Sequence, residues 1–274
     1  VCHACARTAS ARAWRHQLSM PNYYPHLDPD SLYRGASPYI VFAHVAKTGG
    51  ESVHQALKEG CMRRTPRCVE QRLHGQNQVL LDLARNDSHE RPRMPLAVII
   101  SVRDPVQRAV SAFNWRDPIN CLKPARPPDY GCAGHPLGKL AVAGNPEAFP
   151  AEAKLYQCFA DPDAFALGLA RQDACGNAAR RTLDEQNVHL GQGLRFYMGG
   201  TNLSAWAELC VPIHLVRLEH IESDLGCVYH HLFPQVRMLP VKLTHQHYVA
   251  KNRTFLSDAG RLSLERVLAQ EYSF

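Results

Sequence analysis

The sequence has no long apolar run, no internal repeat and no low-complexity tract. A membrane-spanning helix needs about 20 consecutive apolar residues, and no stretch of the chain approaches that length. The chain starts at Val1 rather than at methionine, so we expect a signal peptide or a membrane anchor to lie upstream of it.

The composition is that of an ordinary globular protein. Of the 274 residues, 45% are hydrophobic and 20% are charged, which suits one large domain or two small ones. The formal net charge of +6 is a mild excess that is compatible with an anionic ligand but also serves solubility alone. Residues 1–37 show little periodicity and predict an extended lead-in, and residues 38–274 predict a single domain.

Cysteine is plentiful, and its ten residues are scattered along the chain. An even, high count is typical of disulfides formed in an oxidising compartment. Three N-glycosylation tripeptides begin at Asn86, Asn202 and Asn252, and together with the cysteines they predict a protein of the secretory pathway. Cys2 and Cys5 have the spacing of a zinc or redox pair, but no second ligand pair follows at zinc-finger spacing, so we expect no metal.

Two kinds of apolar pattern alternate along the chain. Short continuous runs predict buried strands, and apolar residues at helical spacing predict helices. Their alternation predicts an α/β fold around a mainly parallel central sheet flanked by helices. The predicted strands are 38–46, 96–102, 194–198 and 213–218, and the predicted helices are 52–58, one starting at 105, most of 151–190, 222–233 and 256–272. Between the first two strands we expect a basic connection bracketed by Cys61 and Cys68.

The first predicted strand leads into the motif Lys-Thr-Gly-Gly-Glu-Ser at 47–52, which precedes a helix. Glycines let backbone amides approach a phosphate, and a helix N-terminus adds partial positive charge. Lys47 supplies a full charge, and Thr48 and Ser52 supply hydroxyl donors. The lysine precedes the glycines, whereas a Walker loop has it after them, which disfavours a kinase or an NTPase. A purely structural glycine turn is the alternative.

A second strand-to-helix junction begins at Arg103. Arg103 leaves the strand end and Ser111 lies about two helical turns further on, so both side chains are candidates for holding a second phosphate. Asp104 has the sequence context of an N-cap, since Pro105 follows at the first helical position. Asp104 and Arg108 therefore have an alternative interpretation as capping and surface residues.

At these two segments the sequence resembles the PAPS-dependent Golgi carbohydrate sulfotransferases, and 44–50 is most similar to the heparan sulfate 6-O-sulfotransferases and their 2-O relatives. The resemblance covers roughly 40–115 and is weaker elsewhere. It implies a P-loop-like three-layer fold, one catalytic domain over 38–274, and transfer of a sulfuryl group from PAPS (3′-phosphoadenylyl sulfate) to a carbohydrate hydroxyl, with PAP as the product and no metal. The donor-binding residues that it implies are Lys47, Thr48, Gly49, Gly50, Glu51 and Ser52 for the 5′-phosphosulfate, and Arg103 and Ser111 for the 3′-phosphate.

Sulfuryl transfer to a hydroxyl needs a base for the proton and a positive charge near the leaving phosphate oxygen. Lys47 suits the second role by its position. We predict His74 as the base, because the resembled enzymes carry a catalytic histidine after the first helix in a similar context and imidazole titrates near neutral pH. His54 and Glu51 are its rivals, but Glu51 is better explained by a capping box with Thr48.

Arginines are the predicted contacts to the acceptor, since guanidinium forks suit sulfate and carboxylate groups. The principal candidates are Arg72, Arg180 and Arg181, and the remaining members of this basic set are Arg63, Arg64, Arg67 and Arg195. We expect an anionic glycan acceptor, no nucleic acid partner, and a place in the Golgi lumen, with membrane contact only through an upstream type II anchor. Sulfation of protein tyrosine and a non-catalytic heparin-binding domain on the same fold are the alternatives.

Overall fold

A computed structural model of the chain describes residues 38–64, 67–73, 95–116, 150–184, 189–198, 211–238 and 255–273. Their contacts form two compact units. The first comprises 38–45, 49–64, 67–73, 95–102, 197–198 and 211–238, and the second comprises 46–48, 103–116, 150–184, 189–196 and 255–273. The predicted lead-in, 1–37, lies outside the described residues, and the single catalytic domain stays a prediction.

The first unit contains a four-stranded parallel sheet. Its strands, β1 to β4 in chain order, stand in the spatial order β2-β1-β3-β4. Since every pair is parallel, all four carboxyl ends lie at the same edge of the sheet. The strands are β1 (Tyr39–Ala43), β2 (Val69–Leu73), β3 (Val98–Val102) and β4 (Ile213–Arg217).

Eight α-helices are present in the part of the chain that the structure describes. In chain order they are α1 (Gly50–Arg63), α2 (Pro105–Arg116), α3 (Pro150–Cys158), α4 (Pro162–Gly168), α5 (Ala174–Asp184), α6 (Leu194–Tyr197), α7 (Ile221–Leu232) and α8 (Asp258–Val267). Short 3₁₀ turns follow β4 and α8, at Leu218–His220 and Ala269–Glu271.

The core of the first unit lies between the sheet and two helices. Val53 and Leu57 of α1 and Leu225 of α7 pack with Ile40 and Phe42 of β1, and all five side chains are fully buried. Burial of an apolar side chain of this size contributes about 1.5–3 kcal/mol relative to exposure. This packing fixes where α1 begins, next to the carboxyl end of β1.

The second unit has a helical core of its own. Phe113 of α2 stacks on Phe165 of α4 with ring centroids 5.5 Å apart, and Leu264 of α8 belongs to the same buried cluster. The hydroxyl of Tyr156 in α3 donates to the Phe113 carbonyl at 2.8 Å. The helix that follows β3 is therefore held by several neighbours along its length.

Two disulfides join described elements. Cys61–Cys68 links the end of α1 to the start of β2, and Cys158–Cys175 links α3 to α5. Among the described cysteines, Cys227 is free and exposed. The disulfides fit a secreted or lumenal protein. Within the described ranges, no helix has the length and apolarity required to span a membrane.

The predicted α/β class and three of the predicted strands are confirmed, but the prediction of a strand at 194–198 is wrong. These residues form α6. The Leu194 N–H donates to the Glu271 carboxylate at 2.6 Å, and an acidic group at a helix N-terminus stabilises the helix. The pattern of five residues at 194–198, one of them the charged Arg195, cannot distinguish the two structures without that contact.

Candidate functional site

The two motif segments follow the two central strands of the sheet. The chain runs from β1 to β2 on one side and from β3 to β4 on the other, so the strand order reverses between β1 and β3. These strands pair directly, with Ala43 opposite Ile100. In open parallel sheets, ligands bind outside the carboxyl ends of the strands at such a switch point. The loops that follow β1 and β3 therefore lead from the edge where a ligand is expected.

The loop after β1 is shaped by two left-handed residues. Lys47 has φ 69° and Gly49 has φ 73°. Glycine adopts this conformation readily, whereas for lysine it costs about 1–2 kcal/mol. A non-glycine residue held in such a conformation is a feature of ligand-binding and catalytic loops.

Helix α1 begins at Gly50 with Gly49 as its N-cap, and no side chain caps it. The predicted capping box is therefore wrong, because it requires Thr48 rather than Gly49 at the N-cap. Glu51 lies in the first turn, where its negative charge interacts favourably with the helix dipole. The Gln55 amide donates to its carboxylate at 3.4 Å. A helix start without a side-chain cap presents backbone donors of the kind that bind phosphate.

Both glycines of the motif have close neighbours within the first unit. A Cβ atom at Gly50 would lie 1.8 Å from His44 Cδ2, and one at Gly49 would lie 2.4 Å from Leu218 Cδ1. His44 is buried and its ring stacks on Phe42 at 5.7 Å. The ring of His44, which begins the motif, therefore packs between Phe42 and Gly50 and supports the loop.

The polar side chains of the first loop differ in exposure. Thr48 and Ser52 are buried, whereas Lys47 is half-buried. The Ser52 N–H donates to the Gly49 carbonyl at 3.0 Å, which closes the first turn of the helix. Lys47, the cation among the predicted donor-binding residues of this loop, is thus in partial contact with solvent.

The second junction is tied to the first loop within the second unit. Arg103 donates to the Lys47 carbonyl at 3.3 Å. Asp104 is the N-cap of α2, since its Oδ1 accepts from the Gln107 N–H at 2.8 Å. That prediction is confirmed. Ser111 is half-buried in the middle of α2.

Arg108 is not a surface residue. It is 3% exposed, and its guanidinium donates to three backbone carbonyls, those of His189 at 2.9 Å, Leu190 at 3.2 Å and Gln192 at 3.2 Å. The interpretation of Arg108 as a surface residue is therefore wrong. It fixes the 189–192 segment to α2.

Tyr272 is a neighbour of the second junction that the sequence pattern did not single out. Its hydroxyl donates to Asp104 Oδ2 at 3.1 Å. Although Tyr272 is 48% exposed, partial burial, followed by the negative charge of Asp104, raises its pKa to about 12. The phenol therefore stays protonated, and able to donate, over the whole physiological pH range.

The predicted base, His74, lies outside the described residues. It is next in sequence to Leu73, the last residue of β2, which pairs with Ala43 at the end of β1. Its rival His54 is engaged elsewhere, with Nδ1 2.8 Å from Glu70 Oε2. Glu70 is three residues, or about 10 Å, from the carboxyl end of β2. His54 is therefore the partner of a buried carboxylate.

The structure describes the surroundings of some of the predicted acceptor arginines. Arg180 donates to the Leu169 and Arg171 carbonyls and to the Asn177 side chain, so its guanidinium braces the connection between α4 and α5. Arg181 is exposed on α5. The backbone of Arg72 pairs with Phe42 in the sheet.

Three further arginines lie at the far end of α1. The helix has 14 residues and is about 21 Å long. It begins beside the glycines of the first loop, whereas Arg63, Arg64 and Arg67 lie at or beyond its last residue. They are therefore too far from the loop to line the same small-molecule site. Arg195, the remaining member of the set, donates to Gln270 at 2.8 Å.

No family model, curated protein or solved structure matches this chain. Within the described ranges, no group of three or more potential metal ligands is present. Cys2 and Cys5 lie outside those ranges.

Proposed function

We propose that the protein is a PAPS-dependent sulfotransferase on a P-loop-like fold, transferring a sulfuryl group to a carbohydrate hydroxyl in the Golgi lumen. One observation carries this proposal. The two phosphate-type motifs follow the two strands on either side of the switch point, and Arg103 of one motif donates to the Lys47 carbonyl of the other. A nucleotide with phosphates at both its 5′ and 3′ positions needs two such anion sites.

The proposed donor contacts follow from the chemistry of each residue. The start of α1 at Gly50, with the left-handed Gly49 before it, supplies backbone donors for the 5′-phosphosulfate. Lys47 supplies a cation on the same loop, and Ser52 a hydroxyl. Arg103 and Ser111 are the proposed contacts to the 3′-phosphate, where a guanidinium fork gives charge-assisted hydrogen bonds.

When bound, PAPS supplies a sulfuryl group on a phosphate leaving group. The acceptor hydroxyl oxygen forms the new S–O bond in line as the bond from sulfur to the phosphate oxygen breaks. Lys47 stabilises the negative charge that develops on that oxygen. His74 takes the proton of the hydroxyl, so that the products are a sulfate ester, PAP and an imidazolium that later releases its proton to water.

The acceptor proposed here is an anionic glycan, in which Arg72 and Arg181 remain candidate contacts. Arg180 is the weakest candidate because its guanidinium already makes three hydrogen bonds. Tyrosine in a protein is the second candidate acceptor within the same chemistry. A binding domain without activity would need neither a base nor a site for the 3′-phosphate.

A transfer assay with labelled PAPS tests this proposal. The panel contains sulfated and unsulfated glycans and tyrosine peptides, and mass spectrometry maps the product. We expect sulfate on a glycan hydroxyl in the presence of EDTA. The His74→Ala variant should bind 3′,5′-ADP (PAP) as the wild type does and lose turnover by a factor of about 10² or more. Near-normal turnover in that variant contradicts the role of His74, and no transfer to any acceptor contradicts the proposed function.

A further inference from the structure

Residues 270–272, here called the clasp, hold the second junction from outside the motif. Tyr272 donates to Asp104 Oδ2 at 3.1 Å, while the Gln107 N–H occupies Asp104 Oδ1 at 2.8 Å. Both carboxylate oxygens of the residue next to Arg103 are therefore fixed by hydrogen bonds. One of the two bonds comes from α2 itself, and the other comes from a segment more than 160 residues away in the sequence.

The other two clasp residues bind the start of α6. Glu271 Oε2 accepts from the Leu194 N–H at 2.6 Å, and Gln270 Oε1 accepts from Arg195 at 2.8 Å. Gly193 lets Glu271 approach closely, since a Cβ atom there would lie 1.8 Å from Glu271 Oε1 and the carboxylate would have to shift. The clasp is therefore anchored independently of Asp104, so that Tyr272 is presented to the junction by a fixed neighbour.

The segment next to α6 is bound in turn to α2. Arg108 donates to the carbonyls of His189, Leu190 and Gln192. The contacts therefore form a closed loop. Arg108 binds 189–192, residues 194 and 195 bind the clasp, and Tyr272 of the clasp binds Asp104 at the start of α2.

We infer that Tyr272 is a positioning residue for recognition of the 3′-phosphate. It acts through Asp104, whose fixed carboxylate holds the turn from which the Arg103 side chain leaves β3. This inference rests on the proposed function and extends it, because it assigns selectivity for the 3′-phosphate to a contact outside both motifs.

The test compares two nucleotides on the full chain by isothermal titration calorimetry. 3′,5′-ADP carries the 3′-phosphate and 5′-AMP lacks it. In Tyr272→Phe the ring stays and the hydrogen bond to Asp104 is lost. We expect the Kd for 3′,5′-ADP to rise about three- to tenfold, the effect of one hydrogen bond. The Kd for 5′-AMP should change less than twofold. Asp104→Asn should give the same split, and the double variant should add little to either single change.

Tyr156→Phe is the matched control. Its hydroxyl also donates to a group of α2, the Phe113 carbonyl at 2.8 Å, but at the other end of the helix. This variant should change the thermal stability without changing the preference between the two nucleotides. If Tyr272→Phe weakens both nucleotides equally, or neither, the positioning role is wrong. If the wild type itself binds 3′,5′-ADP no better than 5′-AMP, the proposed function fails along with it.

Discussion

The two strand-to-helix junctions start their helices in different ways. After β1 the chain turns through two left-handed residues, and α1 starts without a side-chain cap. After β3 the chain turns directly into α2, with Asp104 as the cap and Pro105 at the first helical position. The first junction presents backbone donors, whereas at the second the Gln107 N–H is occupied by Asp104 and the candidate contacts to a ligand are side chains such as Arg103.

Among the substitutions that test the difference between the two junctions, Gly50→Ala is expected to have the largest effect on stability and nucleotide binding. The new methyl group would lie 1.8 Å from the buried His44 ring, and overpacking of this kind costs about 1–3 kcal/mol. We expect a lower Tm together with loss of measurable binding of 3′,5′-ADP, because the loop must move.

Gly226→Ala in α7 is the control for that change. Among the described residues, no atom other than those of its chain neighbours and of the helix backbone lies within 4 Å of the Cβ position at Gly226, and alanine is favoured over glycine in a helix by about 0.5–1 kcal/mol. This variant should be more stable than the wild type and should bind normally. Normal binding in Gly50→Ala would show that the shape of the first junction does not matter for the ligand.

The next largest effect is expected at Lys47, where charge and backbone strain can be separated. Lys47→Gly and Lys47→Ala remove the same charge, but only glycine adopts φ 69° without cost. The glycine variant should be more stable than the alanine variant by about 1 kcal/mol in chemical denaturation. Both should bind 3′,5′-ADP at least about tenfold more weakly than the wild type. Equal stabilities would mean that position 47 stores no strain.

The smallest effect is expected from Asp104→Ala, which removes the cap of the second junction. Loss of such an N-cap costs about 1 kcal/mol. Asp161 offers a matched comparison, because it caps α4 through the Ala164 N–H at 2.8 Å and is also followed by proline. Asp161→Ala should lose similar stability and keep nucleotide affinity, whereas Asp104→Ala should lose both. If both variants bind the nucleotide with equal affinity, Asp104 acts as a helix cap and has no role in nucleotide binding.

Local chemistry made parts of both junctions predictable from the sequence. The Asp104-Pro105 pair encodes a helix start by itself, and β1 and β3 are continuous apolar runs, as expected for central strands of a parallel sheet. Strand β2 was missed because Glu70 and Arg72 interrupt its apolar pattern. Its place is set by pairing with β1 along its whole length, from Tyr39 opposite Val69 onward, which no local signal reports.

Contacts between distant segments account for what the sequence did not reveal at the site. Arg108 has the same sequence context whether it faces solvent or binds the carbonyls of 189–192. Tyr272 is more than 160 residues from Asp104, its partner. The helix cap of α1 was assigned to the wrong residue because Thr48 and Gly49 are both acceptable N-caps by residue type, and the left-handed backbone at Gly49 decides between them.

Calorimetric titration of the wild-type chain with 3′,5′-ADP and 5′-AMP tests most directly whether the two junctions form one donor site. The account predicts that 3′,5′-ADP binds at least about tenfold more tightly than 5′-AMP, since Arg103 and Ser111 add charge-assisted contacts to the 3′-phosphate. Equal affinities for the two nucleotides, or no binding of either, would contradict it.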